Sequence, residues 1–236
     1  MRLLLTRPEP DAARTAALLR ERGHDVVLAP LLRIEPVAVE LTGSYAAILM
    51  TSANAARAIA AHPALTRLLP CPVFAVGDRT AAAARTAGFR DVVSAEGALP
   101  DLLRLVAGCC SADAGRLLYL AGEDRAGDLA GDLAAHGIAV DTVVIYRASA
   151  APSLPAEAAR ALAAGALDGA LHYSARSLAV LLALADAAGV LNAALSLRHY
   201  CLSAAVAAPL RGRAIGRVEV ARSPGEAALI DLVGSA

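Results

Sequence analysis

Two segments of this chain repeat the same pattern of strand, helix and strand. In the first, an apolar run at Arg2–Leu5 precedes a helical pattern at Ala12–Arg22, and a second apolar run follows at Val26–Ala29. The segment 116–147 repeats these features without a gap, down to the glycine expected to end each helix. Because the strands of a β-α-β unit run in the same direction, the repeat predicts parallel sheet.

A second kind of unit follows each copy of the repeat. Its strands are predicted at 46–50, 73–76 and 92–93, and in the later copy at 170–173, 199–202 and 218–220. Helices are predicted at 55–61, 81–87 and 178–187, with a further helix after the turn Ser203-Ala204-Ala205. This alternation predicts an α/β protein with parallel sheets covered by helices on both faces, and each repeat plus one second unit makes a domain. Periodicity leaves tandem and crossed pairing of the units equally open.

Hydroxyl-bearing turns follow several of the predicted strands. Thr51-Ser52-Ala53-Asn54 and Ser174-Ala175-Arg176-Ser177 each come between a strand and a helix. Free backbone N–H groups at a helix N-terminus attract anions, and α/β sheets bind ligands at the carboxyl ends of their strands. The two turns therefore predict two similar half-sites for an anionic ligand.

Composition removes several classes of function. All 22 basic side chains are arginine, which excludes Schiff-base chemistry and a P-loop. The net charge is zero without a basic block, so nucleic-acid binding is not expected. The four cysteines and five histidines lack the spacing of a metal site, and no dinucleotide-binding glycine pattern follows a strand. We predict no metal and no organic cofactor.

The chain is 57% hydrophobic, yet its apolar runs are short. None reaches the roughly 20 residues that a membrane-spanning helix needs, and the N-terminal run is too short for a signal peptide. No membrane association is expected, and we predict a cytoplasmic location.

Five short motifs resemble the uroporphyrinogen-III synthase family. They are Leu-Leu-Thr-Arg-Pro (4–8), Leu-Met-Thr-Ser-Ala-Asn-Ala (49–55), Ala-Val-Gly-Asp-Arg-Thr-Ala (75–81), Val-Ile-Tyr-Arg (144–147) and His-Tyr-Ser-Ala-Arg-Ser (172–177). The motifs occur in the family's order and spacing and span nearly the whole chain.

The resemblance implies crossed pairing of the units. One flavodoxin-like domain would hold residues 1–33 and 152–236, and a similar doubly wound domain would hold residues 41–143. Residues 34–40 and 144–151 would be extended linkers that let the domains move as rigid bodies, with the active site in a cleft between them.

The family's reaction closes hydroxymethylbilane to uroporphyrinogen III, with inversion of ring D and loss of water and without a cofactor. The implied protein is a cyclising lyase of haem biosynthesis, a monomer whose partner is this small molecule. Transient contact with the preceding pathway enzyme is a further expectation.

The resemblance also assigns site residues. Tyr173 matches the proposed proton donor to the leaving hydroxyl, although a phenol near its ordinary pKa is a weak acid at neutral pH. The implied substrate-binding residues are Thr6, Arg7, Thr51, Ser52, Asn54, Gly77, Thr80, Gly122, Ser174 and Ser203. Two turns depart from the family pattern. The turn at Ser203 lacks the usual glycine and threonine, and Gly122 is followed by two acidic residues before the first basic residue, Arg125.

Two other functions fit the same residues. A non-catalytic module with two α/β domains that binds a small anion needs no nucleophile, metal or paired carboxylates. A degenerate homologue that keeps the fold without activity would explain the altered turn at Ser203. Formation of uroporphyrinogen III, rather than the spontaneous I isomer, separates the synthase from both.

Overall fold

The computed structural model describes residues 1–111, 113, 115–125, 127–213, 216–223 and 225–234. The strands are β1 (Arg2–Leu5), β2 (Asp25–Leu28), β3 (Leu32–Pro36), β4 (Ala47–Met50), β5 (Val73–Ala75), β6 (Val92–Ser94), β7 (Leu117–Gly122), β8 (Val140–Ala150), β9 (Gly169–His172), β10 (Arg198–Cys201) and β11 (Val218–Val220). The helices are α1 (Asp11–Glu21), α2 (Ala53–Ala60), α3 (Leu65–Leu68), α4 (Asp78–Thr86), α5 (Leu99–Cys109), α6 (Leu129–Ala134), α7 (Ala156–Ala163), α8 (Ala175–Ala187), α9 (Leu191–Ser196) and α10 (Glu226–Val233).

The chain divides into two compact units. Unit 1 contains Met1–Arg33 and Ser149–Ala236, and unit 2 contains Ile34–Ala148. The predicted linkers, 34–40 and 144–151, contribute to strands β3 and β8, which are neighbours in one sheet. That these segments act as hinges between rigid domains stays a prediction.

The sheet of unit 1 has the strand order β11-β10-β9-β1-β2. Its neighbouring strands all pair in parallel, with Leu5 opposite Leu28 on one side and Leu171 on the other. Numbered along the unit, this order is 2-1-3-4-5, the flavodoxin-like arrangement. Parallel pairing requires a crossover between successive strands, and helices such as α1 and α8 provide it.

The sheet of unit 2 has the order β3-β8-β7-β4-β5-β6. Each neighbouring pair of strands in the series β8, β7, β4, β5 and β6 is parallel. The edge strand β3 runs antiparallel to β8, because the backbone N–H of Val37 bonds to Ile145 whereas that of Ala151 bonds to Leu31.

Both sheets have one spatial plan. In each, the two strands of the repeated β-α-β unit lie beside the three strands of a second unit, and the sheet of unit 2 has β3 as an additional edge strand. Of the two pairings that periodicity left open, the crossed one is present. The predicted fold class, a pair of similar parallel α/β sheets, is confirmed.

Apolar strands place a core on both faces of each sheet. In β1, Leu4 packs with Leu178 and Leu181 of α8, whereas Leu3 and Leu5 belong to a cluster on the other face with helices α1 and α10. Successive side chains of a strand point to opposite faces, so a strand covered on both sides must be apolar throughout. The opening run is a buried central strand for this reason.

Glycine ends the helix of each repeated unit, as predicted. Gly23 has φ 85° and Gly137 has φ 76°, in the left-handed region that side chains with a β-carbon rarely adopt.

Three predictions about local structure were wrong or incomplete. The described residues between Ser203 and β11 contain no long helix: they form turns and a short 3₁₀ segment at Ala208–Leu210, because the sequence continues into a proline. Strand β7 extends through Gly122, which was expected in a turn. The prediction also omitted helices α3, α5, α7, α9 and α10.

Candidate functional site

In unit 1, predicted site residues follow the carboxyl ends of neighbouring strands. Leu5 pairs with Leu171, and Arg7 and Tyr173 follow these two residues by two positions each. The guanidinium carbon of Arg7 lies 4.1 Å from the centroid of the Tyr173 ring, within the range of a cation–π contact.

This pair belongs to a group of polar side chains that we call the Glu226 cluster (Arg7, Arg14, Thr15, Tyr173 and Glu226), in which Arg7 and Thr15 are buried. Arg7 is only 4% exposed, and its Nη1 donates to Glu226 Oε1 at 2.5 Å and to Thr15 Oγ1 at 2.9 Å. Thr15 Oγ1 in turn donates to the same Oε1 at 2.5 Å. The other carboxylate oxygen pairs with Arg14 at 2.6 Å. Asp11 lies at the margin, 3.9 Å from Arg7 and from Arg14.

Tyr173 completes the cluster. Its hydroxyl donates to Glu226 Oε1 at 3.4 Å, a long hydrogen bond that orients the phenol more than it stabilises it. Burial and the negative charge of Glu226 raise the pKa of Tyr173 to about 12, against the opposing charge of Arg7. A phenol with this pKa is a weaker acid than free tyrosine.

Glu226 stays ionised despite its surroundings. Burial would raise the pKa of this carboxyl, but the hydrogen bond from Thr15 and the charges of Arg7 and Arg14 hold it below its ordinary value. Its place in the first turn of α10 also favours a negative charge, because backbone N–H groups there are unpaired.

The remaining predicted residues of unit 1 lie outside the Glu226 cluster. Ser174 begins α8: its hydroxyl accepts from the backbone of Ser177 at 3.0 Å. Ser203 accepts from the backbone of Val206 at 3.3 Å. Thr6 is fully buried, and its hydroxyl has no hydrogen-bond partner among the described residues.

Two histidines, one of them directly before Tyr173 in the sequence, form a buried pair. Nε2 of His172, the last residue of β9, lies 2.9 Å from Nδ1 of His199 on β10, and both rings are fully buried. Burial and the neighbouring His199 lower the pKa of His172 to about 3, and burial also lowers the pKa of His199. Both rings are therefore neutral, so one donates and the other accepts.

In unit 2, two tyrosines bind the hydroxyls of the turn after β4. Thr51 Oγ1 lies 2.8 Å from the hydroxyl of Tyr119 on β7. Ser52 hydrogen-bonds to Tyr146 on β8 and also accepts from the backbone of Asn54, which lies in the first turn of α2. Burial raises the pKa of Tyr146, although its bond with Ser52 opposes the shift.

The glycines of unit 2 differ in what they permit. A β-carbon on Gly122 would lie 2.6 Å from the ring of Tyr146, so this ring requires a glycine beneath it. At Gly77, which precedes α4, a β-carbon would meet only a carbonyl oxygen 3.8 Å away. Packing therefore leaves room for a methyl group at Gly77. Thr80 is buried within the first turn of the same helix.

The turns after β4 and β9 lie where the sequence predicted them, but several of their side-chain partners were not predicted. Within unit 1 the structure brings Arg7 and Tyr173 together. Within unit 2 it links Ser52 to Gly122 through Tyr146, whereas Thr51 binds Tyr119. The residues that were missed are Arg14, Thr15, Tyr119, Tyr146 and Glu226. Tyr146 is part of the Val-Ile-Tyr-Arg motif, and that motif was the available signal.

Within the described ranges, no group of three or more histidine, cysteine or acidic side chains could hold a metal ion. Over the same residues, no helix has the length and hydrophobicity to cross a membrane. What the turns offer chemically is a set of hydroxyls and backbone N–H groups, which bind oxygen-rich anions.

A known protein family matches most of this chain. The family profile of uroporphyrinogen-III synthase HemD matches residues 13–231. No curated protein sequence shows significant similarity to the chain.

Solved structures of similar fold include a uroporphyrinogen-III synthetase from Helicobacter pylori, 17% identical, with a TM-score of 0.68 over 99% of this chain and 98% of that one. A mutant uroporphyrinogen III synthase from the extremely thermophilic bacterium Thermus thermophilus is 19% identical, with a TM-score of 0.58 over 99% and 97% of the two chains. At these identities the likeness concerns the fold.

Proposed function

Because the chain belongs to the uroporphyrinogen-III synthase family, we propose that it closes hydroxymethylbilane to uroporphyrinogen III, inverting ring D and releasing water. Membership makes the chain an enzyme of haem biosynthesis, a cyclising lyase that acts on a small molecule. The family match over residues 13–231, which includes most of both units, carries this conclusion.

The chemistry of the polar turns supports this substrate. Hydroxymethylbilane carries many carboxylates, and carboxylates are bound by hydroxyls, arginine and helix N-termini. Unit 2 offers Thr51, Ser52 and the N-terminus of α4 at Gly77, and unit 1 offers Ser174 and Ser203. We propose that these groups bind the carboxylate side chains of the tetrapyrrole.

Arg7 is a weaker candidate for that role than the sequence implied. Its guanidinium is buried, and Glu226 balances its charge. Arg14 bonds to the same carboxylate but is 48% exposed along its side chain, so it is the arginine of this cluster that solvent and a ligand reach. We propose Arg14 for the contact with substrate that was expected of Arg7.

The reaction makes modest demands on acid catalysis. The leaving hydroxyl sits on a methylene attached to a pyrrole, whose nitrogen lone pair helps to expel it as water. The resulting azafulvene is attacked by the far ring to give a spiro intermediate, which fragments and recloses. Holding a flexible chain in the bent conformation is the larger task, and many weak donors serve it.

We also propose that no cofactor takes part. The steps above exchange carbon–carbon and carbon–oxygen bonds without oxidation or reduction, and the absence of lysine removes Schiff-base chemistry. We propose a monomer, as the family resemblance implies. The balanced charge of the chain agrees with the absence of a nucleic-acid partner.

A coupled assay tests the function. An enzyme that generates hydroxymethylbilane is combined with this protein, the products are oxidised to porphyrins, and the I and III isomers are separated. The synthase yields the III isomer. A binding module or a degenerate homologue would leave the spontaneous I isomer as the product.

A further inference from the structure

The Tyr173 hydroxyl lies within hydrogen-bond distance of a carboxylate oxygen of Glu226 and also interacts with the hydroxyl of Thr15. Glu226 Oε1 receives hydrogen bonds from Arg7, Thr15 and Tyr173 at 2.5, 2.5 and 3.4 Å. An ionised carboxylate accepts hydrogen bonds and donates none, so each of these three groups must supply its own hydrogen. The phenol is consequently the donor in its contact with Glu226.

The ring of Tyr173 is held as well as its hydroxyl. The Arg7 guanidinium lies 4.1 Å from the ring centroid, and Arg7 is itself fixed by Glu226 and Thr15. One carboxylate thus positions both the face and the hydroxyl of the phenol. The charged and titratable groups around Tyr173 are Arg7 from the end of β1, Asp11 and Arg14 from α1, and Glu226 from α10.

We propose that Glu226 is a positioning residue that engages the phenol proton of Tyr173, so that Tyr173 meets the substrate as a hydrogen-bond acceptor for a pyrrole N–H rather than as a proton donor. This inference rests on the proposed function. A linear tetrapyrrole has four pyrrole N–H donors, and a phenol oxygen whose proton is engaged still has lone pairs to receive one. The bond to a carboxylate also makes that oxygen a stronger acceptor.

The first test measures the phenol in the protein without substrate. A fluorinated tyrosine with a near-neutral pKa is incorporated at position 173 and titrated by ¹⁹F NMR in the wild-type background and in Glu226→Gln. Because the negative charge of Glu226 raises the phenol pKa, its loss should increase the ionisation constant of the fluorophenol by about tenfold. An unchanged ionisation constant in Glu226→Gln would overturn the proposal.

Asp231→Asn is the matched control. Asp231 lies on the same helix, pairs with Arg22 and is 65% exposed along its side chain. Its neutralisation removes one carboxylate charge from α10 and should leave the titration of position 173 unchanged.

The second test needs no change at Glu226 and so remains decisive if Glu226→Gln does not fold. Fluorination makes a phenol a stronger acid and a weaker acceptor. Below the fluorophenol pKa, formation of uroporphyrinogen III should therefore fall severalfold if Tyr173 accepts a hydrogen bond. A rate that rises on fluorination, or does not change, contradicts the proposed role. If even the wild-type protein forms only the I isomer, the proposed function fails, whereas the titration still reports whether Glu226 engages the phenol.

Discussion

The ring of Tyr146 lies against Gly122, so close that a β-carbon on Gly122 would lie 2.6 Å from its Cζ atom. Tyr146 also hydrogen-bonds to Ser52, so the position of the ring and the turn after β4 depend on each other. Gly122→Ala should displace the ring, break this bond and lower the free energy of unfolding by about 1–3 kcal/mol, as overpacking does. Urea unfolding measures the change.

Gly77→Ala is the control for that substitution. The space at Gly77 accepts a methyl group, since only a carbonyl oxygen lies 3.8 Å away and the backbone there is extended. The free energy of unfolding of Gly77→Ala should stay near that of the wild type. A raised KM of this variant would indicate that substrate approaches the backbone at Gly77. Equal stability of the two alanine variants would refute the role assigned to Tyr146.

Acid should destabilise unit 1 through the buried histidine pair. His172 has a folded pKa of about 3 and an ordinary pKa near 6.5 when unfolded, so protons bind the unfolded chain first as the pH falls. The stabilisation is complete above about pH 6.5 and is lost progressively towards pH 3, by up to about 1.4 kcal/mol per pH unit for this group. The lowered pKa of His199 adds to the effect in the same direction.

Urea unfolding at pH 7.5 and pH 5 checks this dependence in the wild type, His172→Gln and His136→Gln. His172→Gln removes one titrating group and should reduce the loss of stability between the two pH values. His136 is exposed, so its substitution should leave that loss unchanged. Identical pH dependence in all three proteins would show that the buried pair does not control acid stability.

Tyr173→Phe should reduce the rate of uroporphyrinogen III formation by less than about 10²-fold. Loss of a general acid costs roughly 10²–10⁴-fold, whereas Phe keeps the ring over Arg7 and removes only the hydroxyl. Steady-state kinetics with isomer analysis gives the number, and some III isomer should persist because the other donors still bend the substrate. Activity equal to wild type would remove Tyr173 from the mechanism, and release of the I isomer alone would mean that its hydroxyl is indispensable.

Activity should survive treatment with a strong chelator followed by gel filtration. The proposed reaction exchanges bonds without a redox step, and the sequence has no metal-ligand spacing. Rate measurements before and after treatment make the comparison. Loss of activity that one added metal restores would contradict the proposal of cofactor independence.

Features of the fold that depend on residues close together in the sequence could be predicted, whereas features that depend on residues far apart in the sequence could not. Strands β1 and β11 have the predicted bounds, because the apolar run of β1 and the alternation of apolar and polar residues in β11 are local signals. The two sheets were predictable from the repeated units, although the periodicity did not show which units share a domain. Helix α10 was missed, since its sequence is short and begins after a glycine.

The Glu226 cluster could not be predicted from the sequence. Arg7 and Glu226 are separated by 219 positions, and no periodic pattern links the first turn of the chain to its last helix. A lone arginine after a strand is expected in solvent, but Arg7 is buried because a carboxylate from α10 pairs with it. Tyr119 was missed for a related reason: its partner Thr51 follows a neighbouring strand, and pairing between strands is set by the whole sheet.

The isomer ratio of the product, measured against protein concentration, is the decisive test of the synthase assignment. A fixed amount of hydroxymethylbilane is incubated with increasing amounts of the native protein or of heat-denatured protein, and the reaction is stopped before spontaneous closure is complete. We predict that uroporphyrinogen III rises at the expense of uroporphyrinogen I until it is nearly the sole product, with native protein only. An isomer ratio that stays at the value of the denatured control, at every concentration, would contradict the assignment.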